Sequence, residues 1–186
     1  VHLRLPAVIG IVYFVSELLL NVSRRSRGKG YSRQDKSTLG AIWLVVAISL
    51  IAGVYVARHW RSAALPHSVA AIGVALFVVG VVLRWWSIIV LGRFFTVDVA
   101  IAPDHKLVES GPYRVVRHPS YTGVLLAFAG FSLTAANWAA FLVINVPILA
   151  AFIRRMRVEE AALMNGLGER YVAYMRRTKR LVPFVY

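Results

Sequence analysis

Residues 39–57 read LGAIWLVVAISLIAGVYVA and contain no charged side chain. As an α-helix this stretch extends about 28 Å, close to the roughly 30 Å thickness of a bilayer's hydrocarbon core. Working outward, apolar blocks of similar character occupy residues 5–22 and 68–91, the latter entered just after Pro66. Two shorter blocks, residues 121–136 and 138–153, are separated by little more than Asn137 and predict a tight helical hairpin. Each arm reaches about 24 Å, so a full crossing and a partly re-entrant hairpin both fit. Pro147 lies inside the second arm and predicts a kink. The fold class expected is therefore an all-α integral membrane bundle of about five transmembrane helices in a single domain, residues 1–186.

Composition agrees with that reading. The chain is 59% hydrophobic and 16% charged, against about half and a quarter in soluble domains. Its net charge of +14 suggests nucleic acid only if position is ignored. The cations sit between or after apolar blocks, as in loops that face anionic lipid headgroups, so membrane lipid and not nucleic acid is the expected partner. With no cysteine, disulfides, thiolate metal sites and cysteine nucleophiles are excluded. The opening block lacks a small-residue cleavage site and is followed by a dense basic run, so it reads as a retained helix and not a signal peptide.

Loop cations number six in residues 24–36, two in 58–61, four in 93–117, none in the hairpin turn and eight from Arg154 onward. This alternation places the N-terminus outside, with the 93–117 loop and the C-terminal segment in the cytoplasm. Gly166 and Gly168 are expected to end the fifth helix, and a short helix over residues 169–177 to follow. Met164, Leu167, Tyr171 and Met175 recur at helical spacing and predict one face against the bundle or the membrane surface.

Walker, GxGxxG, HExxH and GxSxG motifs are absent. His105 and His118 have no carboxylates at ligand spacing, so no metal site is expected. Two ionisable residues, Glu17 and Arg84, fall inside spans, where they are expensive. Arg84 reads first as snorkelling to the headgroups beside Trp85 and Trp86, with a Glu17–Arg84 pair as the sharper alternative. Arg155 and Glu159, four apart on a helix, read by themselves as a surface ion pair.

The most informative stretches are residues 105–123, HKLVESGPYRVVRHPSYTG, and residues 155–183, RMRVEEAALMNGLGERYVAYMRRTKRLVP. In their order and spacing they resemble the isoprenylcysteine carboxyl methyltransferase family, with a pattern close to HxLVxxGxYxxxRHPxYxG, then R and EE, then GxxYxxY and R-x-x-P. The matching positions are His105, Leu107, Val108, Gly111, Tyr113, Arg117, His118, Pro119, Tyr121 and Gly123, then Arg155, Glu159, Glu160, Gly168, Tyr171, Tyr174, Arg180 and Pro183. The earlier helices match only in number and hydropathy.

The resemblance implies a carboxyl O-methyltransferase that takes S-adenosyl-L-methionine from the cytoplasm and a lipophilic or prenylated acceptor from the bilayer. It implies cofactor-binding roles for His105, Leu107, Val108, Gly111, Tyr113, Arg117, His118, Pro119, Tyr121 and Glu159. Arg155 and Glu160 would be the catalytic pair at the acceptor, Glu160 either orienting Arg155 or meeting the cofactor's amine. Pro119 suits the first position of the fourth span, and that helix start favours an anion such as the cofactor's carboxylate. Tyr113 and Tyr121 offer π faces to a sulfonium cation, or anchor at the interface. The short chain resembles prokaryotic members most. That leaves the acceptor open among an isoprenylcysteine, a small isoprenoid acid, a lipid amine and a thiol. Two other readings compete: an NADPH-dependent membrane reductase related to sterol reductases, with a similar RHP and R-x-x-P look, and a non-enzymatic lipid-binding bundle.

Overall fold

A segment inside hydrocarbon has to satisfy its backbone polar groups by itself, which leaves the helix as the economical state for these apolar blocks. The computed structural model describes residues 4–23, 32–33, 38–97, 100–101 and 104–186. Among them are α1 (Arg4–Ser23), α2 (Thr38–His59), α3 (Ser68–Leu91), α4 (Pro119–Leu133), α5 (Trp138–Leu167) and α6 (Glu169–Arg177). Helices α2, α3 and α5 are long and apolar enough to cross a membrane. Their outward side chains, such as Ile51, Val82 and Ile89, are exposed hydrocarbon, as a lipid-facing surface requires. The chain is an all-α integral membrane protein. Its extended structure among the described residues is a two-residue ladder, β1 (Ser32–Arg33) antiparallel to β2 (Ala100–Ile101), and isolated bridges.

The tightest packing is a glycine seam. Glycine removes the side chain that keeps helices apart, and membrane helices use it for close approach. A Cβ on Gly130 of α4 would lie 2.3 Å from the backbone nitrogen of Phe77 in α3, and one on Gly80 would lie 2.5 Å from that of Ala127. Gly73 and Gly123 are equally closed in by backbone. On the other side Val46, Val124, Ile144, Ile148 and Phe152 join α2, α4 and α5 in one buried cluster. Helix α1 is attached through side chains: Tyr13 meets Phe77 edge-on at 5.6 Å, Phe14 meets Trp43 at 5.7 Å, and Glu17 meets Arg84.

The end of the bundle opposite α6 is stitched by hydrogen bonds. Asn137 caps α5 by accepting from Ala140 N at 2.9 Å, and its Nδ2 donates to Trp60 O at 3.0 Å. Leu65 N donates to Ala136 O at 2.6 Å.

Several expectations need correction. Helix α5 runs through Gly166 and ends at Leu167, with Gly168 alone at the break, where φ is +57°. At about 45 Å it outreaches the hydrocarbon core, whereas α4, with 15 residues, spans about 22 Å. Arg84 is buried and not snorkelled: it makes a two-point ion pair with Glu17, Nε to Oε1 at 3.0 Å and Nη2 to Oε2 at 2.9 Å. In α6 and the turn before it, Tyr171 and Tyr174 are buried while Met164 is exposed. Most of the basic run in residues 24–36 lies outside the described residues.

Candidate active site

The seam fixes where α4 begins. Pro119 is its first residue and His118 its N-cap, the position that proline's missing N–H and fixed φ suit. The amides of Tyr121 and Thr122 turn back on the His118 carbonyl at 3.0 Å each, so Ser120 is left as the amide donor for an anion at this turn. Arg84 donates from Nη1 to the Ser120 hydroxyl and carries its guanidinium 5.5 Å from the Phe95 ring. One buried arginine thus ties α1, the start of α4 and the loop after α3 together.

Tyr121 is the hinge of the site. Its hydroxyl donates to Glu159 Oε2 at 2.6 Å and accepts from Arg155 Nε at 3.4 Å, and its ring stacks on His118 at 5.4 Å. Arg155 is 3% exposed and donates to Thr38 Oγ1 at 2.6 Å and to the Val97 carbonyl. The surface ion pair between Arg155 and Glu159 is therefore not formed: Arg155 points inward, and Tyr121 stands between the two.

Glu160 is buried and holds two guanidinium groups and an imidazole. Arg117 Nε donates to Oε1 at 3.0 Å, His118 Nε2 lies 3.2 Å from Oε1, and Arg180 Nη2 donates to Oε2 at 2.7 Å. Arg117 also donates to the carbonyls of Met175 and Thr178, and Arg117 N and His118 N donate to the carbonyls of Lys179 and Arg180. The segment after α6 is thereby laid alongside the RHP motif. The expectation that Glu160 orients Arg155 is corrected, because its carboxylate is spent on Arg117, His118 and Arg180.

Two cavities meet at Tyr121 and Arg155. The larger, about 440 Å³, runs among α1, α2, α4 and α5, from Arg84, Tyr121 and Arg155 at one end to Gly10, Leu50 and Phe131 at the other, with almost wholly apolar walls. The smaller, about 90 Å³, is lined by His105, Leu107, Val108, Tyr113, Arg117, His118, Tyr121, Arg155 and Glu159, with Tyr171 and Tyr174 from the C-terminal part. Phe95 and Thr96 wall both. Of the positions singled out in the sequence, Pro119 sits inside the first turn of α4, and Gly111 turns the loop at φ +56° beside Val90 and Trp86. Neither lines a cavity, and neither does Glu160. Among the site residues that sequence reasoning missed are Thr38, which holds Arg155, and Phe95, Thr96, Val97 and Ser120 in the cavity walls. They carry no motif, and only their neighbour Arg84, a charge inside a span, signalled a polar spot there.

Burial sets the titration of the loop groups. It lowers the His105 pKa, keeping that imidazole neutral at pH 7. It pushes Tyr113 up and Tyr174 up to about 12, so both remain neutral phenols; Tyr174 donates to the Tyr113 carbonyl at 2.6 Å. The hydrogen bond to Glu160 raises Arg180. Among the described residues no group of three or more His, Asp and Glu converges on a point that would hold a metal.

A family model described as phospholipid methyltransferase matches residues 69–170, the region that carries this geometry. The chain belongs to the phospholipid methyltransferase family. Within this family of membrane methyltransferases its similarities group it with the isoprenylcysteine carboxyl methyltransferases. Protein-S-isoprenylcysteine O-methyltransferase B of Arabidopsis thaliana is 34% identical over 130 residues, 69% of this chain and 62% of the relative. The Schizosaccharomyces pombe protein-S-isoprenylcysteine O-methyltransferase is 31% identical over 108 residues, 57% of this chain and 46% of the relative. A solved structure of the eukaryotic intramembrane Ras methyltransferase superposes with a TM-score of 0.62 at 26% identity, covering 81% of this chain and 54% of that one. The chain spans under two thirds of the length of these relatives.

Proposed function

We propose that the protein transfers a methyl group from S-adenosyl-L-methionine to the carboxylate of a lipophilic, isoprenylcysteine-like acceptor. The observation that carries this reading is the shared wall: an apolar cavity among the helices and a polar recess built from the sequence motif abut at Tyr121 and Arg155. A chain drawn from the lipid and a water-borne cofactor would meet head to head there.

The residues of the recess suit the cofactor chemically. When bound, it supplies an electrophilic methyl on a sulfonium. Tyr113 and Tyr121 present π faces to such a cation, and Glu159, partly exposed at 31%, accepts from an ammonium. At about 90 Å³ the recess is narrower than the about 300–1,000 Å³ of drug-sized ligand pockets. The loop with His105, Leu107 and Val108 therefore has to part to admit a nucleoside.

Arg155 is assigned as the catalytic residue, holding the acceptor carboxylate against Tyr121. An ionised carboxylate needs no general base, so alignment and exclusion of water do the work. Glu160 is reassigned as a positioning residue: it keeps Arg117, His118 and Arg180 together and so sets His118 and the start of α4. The proposed placement is a multi-pass prokaryotic cell-membrane protein, N-terminus outside and C-terminus cytoplasmic, with spans near residues 5–22, 39–57, 68–91, 121–136 and 138–153 in one domain. Impermeant labelling of a cysteine introduced at Ser32 from outside intact cells would reverse that orientation.

The deciding experiment supplies labelled cofactor with an S-farnesylcysteine analogue, a phosphatidylethanolamine vesicle or a prenyl thiol. Label in the ester of the first, and thermal protection by S-adenosylhomocysteine but not NADPH, is the expected result. Label in the lipid amine or thiol would replace the acceptor, protection by NADPH alone would replace the reaction, and protection by neither would leave a lipid-binding bundle.

A further inference from the structure

Beyond α6 the chain makes a closed turn that neither cavity uses. Residues 182–186 read VPFVY. Leu181 N and Val182 N both donate to the Tyr186 carbonyl at 2.7 Å, and Arg180 Nη1 donates to the Tyr186 hydroxyl at 3.0 Å, so the turn is tied at its neck. Its tip is bare hydrocarbon. Phe184 is 92% exposed and Val185 75%, the two highest values among the exposed large apolar side chains of the described residues. Phe184 also sits at φ +66°, a left-handed conformation that is unfavourable for a bulky residue and marks a place to look for function.

The segment that leads into the turn fixes its height in the bundle. Val116 and Lys179 form a parallel bridge, with Arg117 N donating to the Lys179 carbonyl at 2.7 Å and His118 N to the Arg180 carbonyl at 3.0 Å. The Thr122 hydroxyl then donates to the Leu181 carbonyl at 2.9 Å. Both segments head the same way, so Val182 arrives level with the first turn of α4. That level is the membrane boundary. With 15 residues α4 spans about 22 Å, less than the roughly 30 Å of the hydrocarbon core, so its first turn already lies at the hydrocarbon edge. On α3 the exposed indole of Trp86, a residue type that favours the interface, stands two residues beyond Arg84, which is bonded to Ser120 in that same turn. Just before the turn, Arg176 and Lys179 are exposed, and cations beside an apolar tip suit a leaflet with anionic headgroups.

We propose that residues 182–186 are an interfacial anchor: Phe184 and Val185 insert between lipid chains beneath the headgroups, and Arg176 and Lys179 stay among the headgroups. The partner is the lipid leaflet on the side of α6, and the argument uses neither cofactor nor acceptor. Because Arg180 at the neck holds Glu160, the anchor also fastens to the membrane the segment laid beside the RHP motif.

The chain has no cysteine, so single cysteines carry a nitroxide spin label without background. The test places one label at Val185, one at the outward Ile51 of α2 and one at the exposed Asn165 near the end of α5, each in the full chain reconstituted in phosphatidylcholine–phosphatidylglycerol vesicles. Collisions with oxygen, which concentrates in hydrocarbon, and with a water-soluble nickel chelate give a ratio that rises with depth. The Val185 ratio should exceed that at Asn165 by at least about threefold and stay below that at Ile51, as a depth of about 5–10 Å requires. Adding Phe184→Asp should bring the Val185 ratio to within about 1.5-fold of Asn165, whereas Phe184→Leu should keep the parent value. A Val185 label that reads like Asn165 in the parent overturns the inference, and so does a Val185 ratio indifferent to Phe184→Asp. A label shielded from both reagents would show protein packed on the turn in place of lipid, which overturns it as well.

Discussion

Helix α4 is joined to α3 backbone against backbone, whereas α1 is joined to the same helix by an ion pair and an aromatic edge. The first joint is built from Gly73, Gly80, Gly123 and Gly130, residues with nothing to rearrange. The second is built from Glu17, Arg84, Tyr13 and Phe77, and it encloses a cavity of about 440 Å³. In a bilayer, lipid tails are as apolar as the helix surface, so association rests on fit and on polar links. Where fit is complete the geometry is rigid, and that joint carries the residues that have to stay in place. Where polar links bridge a gap, a helix can yield to a ligand.

Breaking the rigid joint should have the largest effect. Gly130→Val puts a branched side chain where even a Cβ lies 2.3 Å from the Phe77 nitrogen, so little folded protein should be recovered from detergent. Gly40→Ala, which meets nothing within 4 Å, should melt with the parent. Equal behaviour of the two would remove the seam from the account. Next comes the polar link. Glu17→Gln leaves Arg84 buried beside a neutral amide and should cost about 3–5 kcal/mol of stability in chemical denaturation. Replacing both residues by leucine should recover most of that loss, and a double variant as unstable as the single one would show that α1 is held some other way.

The site itself should respond more narrowly. Arg155→Ala should lower turnover at least about 100-fold, roughly 2.7 kcal/mol in barrier, while S-adenosylhomocysteine affinity changes less than about threefold. Arg155→Lys should rescue poorly, because a point charge does not reproduce a planar two-point grip. Turnover within about twofold of the parent in the alanine variant would end the catalytic assignment. The smallest effect concerns pH. Burial lowers the His105 pKa below its ordinary value near 6.5, so the unfolded chain takes up that proton first as the medium acidifies. Its contribution to stability is constant above about pH 6.5 and is lost as pH falls below that value. Melting curves of the parent and His105→Asn should run parallel above pH 6.5 and converge below it. Divergence on the alkaline side would show the opposite sign.

How far the sequence carried the structure follows from the range of each signal. Helix positions were legible because long uncharged blocks and a proline at the start of α4 are local marks. Much of the recess was legible because most of its residues come from two short motif stretches that keep their spacing, whereas Leu91, Phe94, Phe95 and Thr96 in its wall lie outside both. The glycine seam left no hydropathy mark, since a glycine in an apolar block reads like any small residue until the partner helix is known. Arg155 shows the limit most clearly. Its spacing from Glu159 fits a surface pair, and the intrusion of Tyr121, 34 residues earlier in the chain, is a tertiary fact. The same holds for Glu160, whose partners Arg117, His118 and Arg180 come from three directions.

The stitching by Asn137 at the end opposite α6 has a mechanical consequence. There the loop between α2 and α3 and the turn between α4 and α5 are bonded to each other at Trp60, Leu65 and Ala136. It works as a hasp: two helical hairpins, α2–α3 and α4–α5, are locked to each other at that end by two hydrogen bonds, and the Asn137 side chain that makes one of them also caps α5. The frame is thus clasped at one end by backbone and amide groups and at the other by the charged links around Arg84 and Arg117, and the cavities lie between two fixed ends.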